Sequence, residues 1–270
     1  MSLTLNVEQM DTFRKDGVVC LRNVFSPDWV GLVERGIARN LAEPGPFANY
    51  ADGDKKQFFQ DANNWQRIPE FEEFARHSPA RLLAAQLLRS SKINFLHDHT
   101  LVKRGGTSKA TQWHQDQPYS PVDGWQFCTI WMPVDPVPRD AVLEFVAGSH
   151  SDNRWYRPQR FIDGSLREGD DPSWELLPDI EADRAAHNIV AWAVMPGDAL
   201  VFHGLTLHGA PGNPYDTARR VLTTRWTGDD ARMNIRKGKL SPPLPEVGAP
   251  AHGAVLDCDA FPVVWGGVKA

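Results

Sequence analysis

The stretch PGDALVFHGLTLHGAPGN, residues 196–213, reads as a tight turn, then a strand over Ala199–His203, then a histidine, His208, set among small residues. The same texture extends outward on both sides. Segments rich in β-branched and aromatic residues recur at Ile93–Lys103, Thr129–Val134, Val142–Val146, Asn188–Val194 and Val221–Trp226, separated by Gly, Pro and Asp turns. A run of short strands at such intervals points to a mainly β sandwich or barrel.

The first ninety residues read differently. Ser26-Pro27 is a cap followed by a favoured first-turn proline, and Val30, Val33, Ile37 and Leu41 follow at helical spacing. Ser78-Pro79 repeats the signal before Leu82, Leu83, Leu87 and Leu88, with a short helix expected before it over Glu70–Ala75. No flexible linker marks the change of texture near Ser90-Ser91, so the helices are expected to brace one barrel rather than form a second unit. The chain is therefore read as a single domain, 1–270. About 1–90 is helical support and about 91–230 is the barrel core, with a long insertion at 147–187 and a C-terminal extension at 231–270. Gly164, Gly169, Asp170, Asp171 and Pro172 make that insertion polar and turn-rich, the composition of a lid or binding loop.

Composition narrows the partners. The 29 Lys and Arg against 34 Asp and Glu leave a net charge of −5, which lacks the basic excess that binding nucleic acid or an anionic membrane requires. A small-molecule substrate is the better expectation. No apolar run approaches a spanning helix, and the start MSLTLNVEQMD has no signal-peptide pattern, so a cytoplasmic location is expected. Cys20, Cys128 and Cys258 form no CxxC pair and imply neither disulfides nor a thiolate metal site. Oligomeric state is left at monomer or homodimer.

Chemistry enters at Trp113-His114-Gln115-Asp116. An imidazole and a carboxylate two positions apart on a strand point to the same face, which makes two-thirds of a facial metal triad. The spacing alone is weak, since a second His-x-Asp stands at His150-Ser151-Asp152. His208 can supply the third ligand, and an N/N/O triad with open positions suits non-haem Fe(II) oxygen chemistry. His203, an odd five positions earlier, is expected on the opposite face unless Gly204 bulges the strand. Arg219, at the start of the last predicted strand, offers a fixed fork for a carboxylate.

Taken together, FRKDGVVCLRNVFSPDWV (13–30), WHQDQPY (113–119), LEFVAGSH (143–150), the 196–213 stretch and RRVL (219–222) resemble the phytanoyl-CoA dioxygenase family of Fe(II)/2-oxoglutarate-dependent oxygenases. The resemblance runs over about residues 13–230. It implies a double-stranded β-helix, the cupin-like jelly-roll barrel, with supporting N-terminal helices. It also implies His114, Asp116 and His208 as ligands of Fe(II), and Arg219 as partner of the distal carboxylate of 2-oxoglutarate, with Arg220 as the fallback. Lys103 and Trp131 fall where the family often contacts the cosubstrate, whereas the small hydroxyl residue often found two past the distal histidine is here Ala210. The implied reaction uses dioxygen as second cosubstrate and hydroxylates a substrate C–H bond, releasing succinate and CO2. Asp116 itself disfavours halogenation, for which related enzymes carry a small residue at that position.

Other candidates have plainer readings. His97 and His99 are expected to line the pocket or satisfy core polar groups, and His150 to fix its loop by hydrogen bonds. Arg154, Arg157 and Arg160 form a basic cluster that could meet an anionic substrate, although a solvated face is the simpler account. Phe58, Phe59, Trp65, Tyr119, Trp125 and Trp155 could close over the site. Two further functions fit the same residues: a cupin-like metal-dependent isomerase, lyase or cosubstrate-independent oxygenase, against which Arg219 argues, and a non-catalytic ligand-binding barrel.

Overall fold

The computed structural model describes residues 3–160, 163–167, 171–238, 240–241, 243 and 248–266. Helix α1 (Val7–Asp16), absent from the sequence expectations, opens on a capping box in which Asn6 and Gln9 satisfy each other's backbone N–H groups. It ends at Gly17, whose φ of 72° needs glycine and whose α-carbon packs so closely on His150 and Thr206 that a side chain would strike them. Helix α2 (Pro27–Ala42) starts at the expected proline and buries Val33 and Ile37, but Leu41 lies exposed beyond the apolar stripe. Helices α3 (Pro69–His77) and α4 (Ala80–Leu88) occupy the two remaining predicted positions.

In chain order the strands are β1 (Val18–Leu21), β2 (Asn49–Tyr50), β3 (Phe58–Ala62), β4 (Lys92–Lys103), β5 (Thr111–His114), β6 (Val122–Asp123) and β7 (Phe127–Pro133). They continue with β8 (Glu144–Val146), β9 (Ile189–Val190), β10 (Ala199–His203), β11 (His208–Ala210), β12 (Arg219–Thr227), β13 (Arg232–Met233) and β14 (Val263–Gly266). A major sheet runs β1-β10-β7-β12-β4-β3-β2, with β14 also on β4; a minor sheet runs β5-β11-β8-β9; β6 pairs with β13. Two antiparallel sheets with this interleaved order are the double-stranded β-helix, braced by helices as expected.

The first ninety residues are less helical than their sequence reads. Three short strands, β1 to β3, lie there and join the major sheet. Their apolar content was visible, but strands of two to five residues have too few alternations to show a period.

The major sheet separates two cores by simple alternation. On β7, β10 and β12 the residues Ile130, Met132, Val201, Leu222 and Trp226 face the helices and join the largest apolar cluster. Their neighbours Trp131, Leu200, Phe202 and Val221 face the minor sheet and pack with Phe145 and Ala210. Trp226 meets Phe95 edge to face at 4.9 Å between ring centroids, worth about 1 kcal/mol beyond the burial itself. All three cysteines are free. Among the described residues no helix is long and apolar enough to cross a membrane.

The 147–187 insertion is ordered by a few specific contacts. Gln159 and Leu166 pair in an antiparallel bridge, and Trp155 packs on Trp174 with Arg236 of the C-terminal extension over both rings. Gly169 and Asp170, read as turn residues, lie outside the described residues.

Candidate metal centre and cavity

His114 ends β5, and His208, the first residue of β11, is its cross-strand partner. Asp116 is not on the strand. It starts a 3-10 turn over Gln117–Tyr119, with helical backbone angles. The strand-face argument for His114 and Asp116 therefore needs correction: the chain turns after His114, and the turn rather than the pleat brings the carboxylate back. One ligand-type atom from each of His114, Asp116 and His208 lies within 4.8 Å of the others.

Hydrogen bonds decide which atoms face inward. His114 Nδ1 lies 2.8 Å from the Gln112 carbonyl and His208 Nδ1 lies 2.9 Å from the Thr206 carbonyl. Each carbonyl can only accept, so each Nδ1 carries the proton and each Nε2 keeps its lone pair. Those two Nε2 atoms are 3.5 and 3.8 Å from Asp116 Oδ1. Burial and the neighbouring His114 push the His208 pKa down to about 3, so its imidazole is neutral at physiological pH. Two imidazoles and a carboxylate converging on one point form a donor set that fits a divalent first-row metal ion.

The other Asp116 oxygen is held from behind. Thr129 donates to Oδ2 at 2.6 Å, and Arg225 straddles the carboxylate, Nε donating to Oδ2 and Nη2 to Oδ1, both at 3.3 Å, while its Nη1 donates to Thr223 at 2.5 Å. Burial would raise the Asp116 carboxyl, but Arg225 and the two histidines outweigh it and hold it well below the usual carboxylate range. Neither Thr129 nor Arg225, both inside predicted strands, is a site candidate in the sequence. The available signal was the even six-residue spacing from Arg219 along one strand, which places both arginines on the inner face.

A cavity of about 870 Å³ opens over this cluster between the two sheets. Arg219, Trp131, His97 and His99 all line it. Arg219 is almost fully buried and donates to the Ala141 carbonyl; burial lowers its pKa to about 10, leaving it cationic near neutrality. Arg220 points the other way and is committed to Asp135 at 2.6 Å and Glu34 at 2.9 Å. Lys103, the cross-strand partner of Arg219, is buried with its Nζ on the Pro211 carbonyl at 2.8 Å and over the Phe58 ring. It stands beside the cavity lining without being part of it.

The remaining histidines stay apart from the cluster. His203 donates from Nε2 to the Trp125 carbonyl and accepts from the Leu205 N–H at Nδ1; the odd-spacing argument does not apply to it, because His203 ends β10 in the major sheet and His208 opens β11 in the minor sheet. His150 lies beside Trp125, with Nε2 on the Arg14 carbonyl, and anchors its loop. Burial depresses His97 strongly and His99 to about 3. Of the predicted aromatics, Tyr119 and Phe58 line the cavity, whereas Phe59 and Trp65 belong to the helix-side core. The Arg154, Arg157 and Arg160 cluster is divided: Arg154 sits in surface ion pairs with Asp152 and Glu175, while Arg160 lines the cavity.

A jelly roll that gathers two histidines and a carboxylate beneath an arginine-lined cavity defines the class of cupin-like barrels with a facial donor set. Within that class the chain belongs to the phytanoyl-CoA dioxygenase (PhyH) family, whose model matches residues 13–221. A protein of Caenorhabditis elegans named "Probable phytanoyl-CoA dioxygenase" is 22% identical over 256 residues, covering 84% of this chain and 76% of the relative. Similar solved structures include the α-ketoglutarate-dependent carbocyclase SnoK of nogalamycin biosynthesis, with TM-score 0.74, 22% identity and 96% of each chain covered. The epimerase SnoN in complex with Fe3+, α-ketoglutarate and nogalamycin RO has TM-score 0.76 at 21% identity, covering 95% of this chain and 97% of its own. EctD from S. alaskensis, with 2-oxoglutarate and 5-hydroxyectoine, has TM-score 0.69 at 18% identity, with 92% and 86% covered.

Proposed function

We propose that the protein is an Fe(II)- and 2-oxoglutarate-dependent dioxygenase that hydroxylates a C–H bond of a small organic molecule. The observation that carries the reading is the convergence of His114 Nε2, His208 Nε2 and Asp116 Oδ1 on one point in a cavity that also holds Arg219. Ferrous iron and 2-oxoglutarate, when bound, supply the oxidation by dioxygen, with succinate and CO2 as coproducts.

The chain's own residues do the positioning. His114 and His208 would hold the metal through Nε2, their tautomers fixed by the Gln112 and Thr206 carbonyls. Asp116 would bind through Oδ1, the oxygen that faces both Nε2 atoms, because Thr129 occupies Oδ2. Arg219 would take the distal carboxylate of 2-oxoglutarate with Trp131 as a wall, and Lys103, whose pKa burial and Arg219 lower well below the ordinary lysine value, would stand behind it. Phe202 and Val221 line the same space and exclude water from the reacting centre.

Hydroxylation is the finer part of the proposal, since two of the similar structures are named as a carbocyclase and an epimerase. We also read residues 1–270 as one oxygenase domain, a reading supported by the pairing of β1, β2, β3 and β14 into the major sheet.

The test is an anaerobic titration of the Fe(II)-loaded protein with 2-oxoglutarate, following the visible charge-transfer band of a chelated 2-oxo acid. A band that saturates in the wild type and needs far more 2-oxoglutarate in Arg219→Ala supports the reading. Iron binding without a band would move the assignment to a cupin-like enzyme that needs no cosubstrate, and absence of iron binding to a ligand-binding barrel.

A further inference from the structure

Resting on the oxygenase reading above, we infer that the oxidised substrate is a neutral molecule with several hydroxyl groups, held by hydrogen bonds to His97, His99 and Gln60 on one wall of the cavity. The histidines lie on β4 and the glutamine on its neighbour β3, and all three line the cavity together with Ala62 and Leu101. His97 and His99 are two residues apart on β4, so they share its inner face about 7 Å from each other. Gln60 is the cross-strand partner of Leu101, which sets it one step further along the same wall. Neither histidine belongs to the candidate metal cluster.

The wall offers hydrogen-bonding atoms that its neighbours leave open. His97 Nδ1 lies 3.0 Å from the Asp98 carbonyl, so it carries the proton and Nε2 keeps a lone pair. Arg225, the cross-strand partner of His97, does not fill that acceptor, because its Nε and Nη2 are engaged with Asp116 and its Nη1 with Thr223. Thr223, beside His99, accepts from Arg225 and donates its own proton to the His99 carbonyl at 3.2 Å, and the His99 ring has no hydrogen bond among the described residues. Gln60 Nε2 donates to Asn49 Oδ1 at 2.6 Å, which leaves Gln60 Oε1 as a further acceptor. Polar atoms gathered on an otherwise apolar wall cost free energy until a ligand meets them.

The character of the wall selects the partner. Among the described residues that β3 and β4 give to the cavity lining there is no acid, lysine or arginine, so nothing there pairs with an ion. Hydroxyl groups suit it, since each can donate to a lone pair such as that on His97 Nε2 and accept from a ring N–H such as that of His99. The position of the wall agrees with this use. Arg219, Val221, Thr223 and Arg225 form the inner row of β12, running from the proposed carboxylate clamp to the partner of Asp116 beneath the space read above for 2-oxoglutarate. Strand β4 flanks that row on the side away from Trp131 of β7, and the wall continues through β3 to Asn49 on the edge strand β2. A molecule resting there lies beside the cosubstrate rather than in its place, and a cavity of about 870 Å³ has room for both.

The experiment uses the Fe(II)-loaded protein, anaerobic and saturated with 2-oxoglutarate, and follows the perturbation of the charge-transfer band. Phenyl β-glucoside and cis-cyclohexane-1,3-diol are added against their fully O-methylated ethers, with benzamide as an N–H donor and phenylacetate as an anion. We expect only the hydroxylated probes to perturb the band. His99→Phe, which keeps a ring, and Gln60→Met should each raise the half-saturating probe concentration roughly tenfold, and His99→Gln should recover part of the loss. The 2-oxoglutarate titration should be unchanged in these variants. His97 is tested without substitution: with isotopically labelled histidine nitrogens and Zn(II) in place of iron, bound diol should shift the Nε2 resonance of His97 and leave that of His203 in place. Ethers, benzamide or phenylacetate acting as well as the hydroxylated probes, silence of the whole panel, or undiminished binding by both variants overturns the assignment. So does a weakened 2-oxoglutarate titration in the variants, which would place this wall in the cosubstrate site. Failure of the band itself in the wild type would instead overturn the oxygenase reading, and the substrate assignment with it.

Discussion

Arg219 and Arg220 are chain neighbours on one strand and live in opposite surroundings. Arg219 is buried in the cavity, where burial alone lowers its pKa to about 10 and no carboxylate partners it among the described contacts. Arg220, on the outer face, is held by Asp135 and Glu34, which raise its pKa above its ordinary value. A guanidinium that the fold has already paired has little left to offer a ligand. One kept desolvated beside a cavity gains the most from an incoming carboxylate, so function follows the face of the pleat.

The inner face should respond most strongly to substitution. His208→Ala should abolish metal-dependent turnover and Fe(II) retention while leaving the circular dichroism spectrum intact. Wild-type-like iron content in that variant would remove His208 from the ligand set. Arg219→Ala should weaken 2-oxoglutarate binding by roughly tenfold to a hundredfold, the loss of charge-assisted hydrogen bonds worth about 1.5–3 kcal/mol, with little change at saturating cosubstrate. If Arg220→Ala has the larger effect on that titration, the assignment of the inner face is off by one residue.

Arg225→Met removes the group behind Asp116 without touching a candidate ligand. It should lower Fe(II) affinity by about 10–100-fold, the usual cost of losing a partner that orients a ligand, and Co(II) spectra would report the altered carboxylate. An unchanged metal affinity would reduce Arg225 to a space-filling role. On the outer face, Arg220→Ala should cost only about 1 kcal/mol of stability, read as a small shift in the denaturation midpoint.

The buried histidines give a pH dependence whose sign can be worked out. His99, His203 and His208 are depressed to about 3, and His97 is also lowered, so between pH 6.5 and 3 the folded state binds fewer protons than the unfolded chain. Stability must therefore fall as pH drops through that window. Burial raises Asp98 to about 7, which opposes the trend, but one carboxyl faces four imidazoles. The metal-free protein should have a lower denaturation midpoint at pH 5 than at pH 7.5, and Asp98→Asn should steepen the fall. A flat profile would mean that these imidazoles are protonated when folded.

Legibility in the sequence followed the range of the interactions. Ala199–His203 was readable to the residue because its turn, alternation and flanking glycine are all local. The predicted strand Val221–Trp226 became Arg219–Thr227, with both arginines inside it. Asn188–Val194 shrank to Ile189–Val190 plus a bridge between Val137 and Val194, because its partner strand is itself short. The identities of His114, Asp116 and His208 could be proposed from spacing and resemblance, although the route of the chain between the first two was misread.

By itself the sequence determined the mainly β texture, the helix starts, the candidate triad and the arginine pair at 219 and 220, all carried by side-chain chemistry and periods of a few residues. Only the tertiary structure decided which arginine faces inward, which nitrogen each histidine presents, and that Arg225 and Thr129 stand behind Asp116. Those facts depend on partners as far apart in the chain as Glu34 and Arg220. The physical reason is that a strand's period fixes two faces but not which of them is covered, and the second sheet settles that only when the barrel closes.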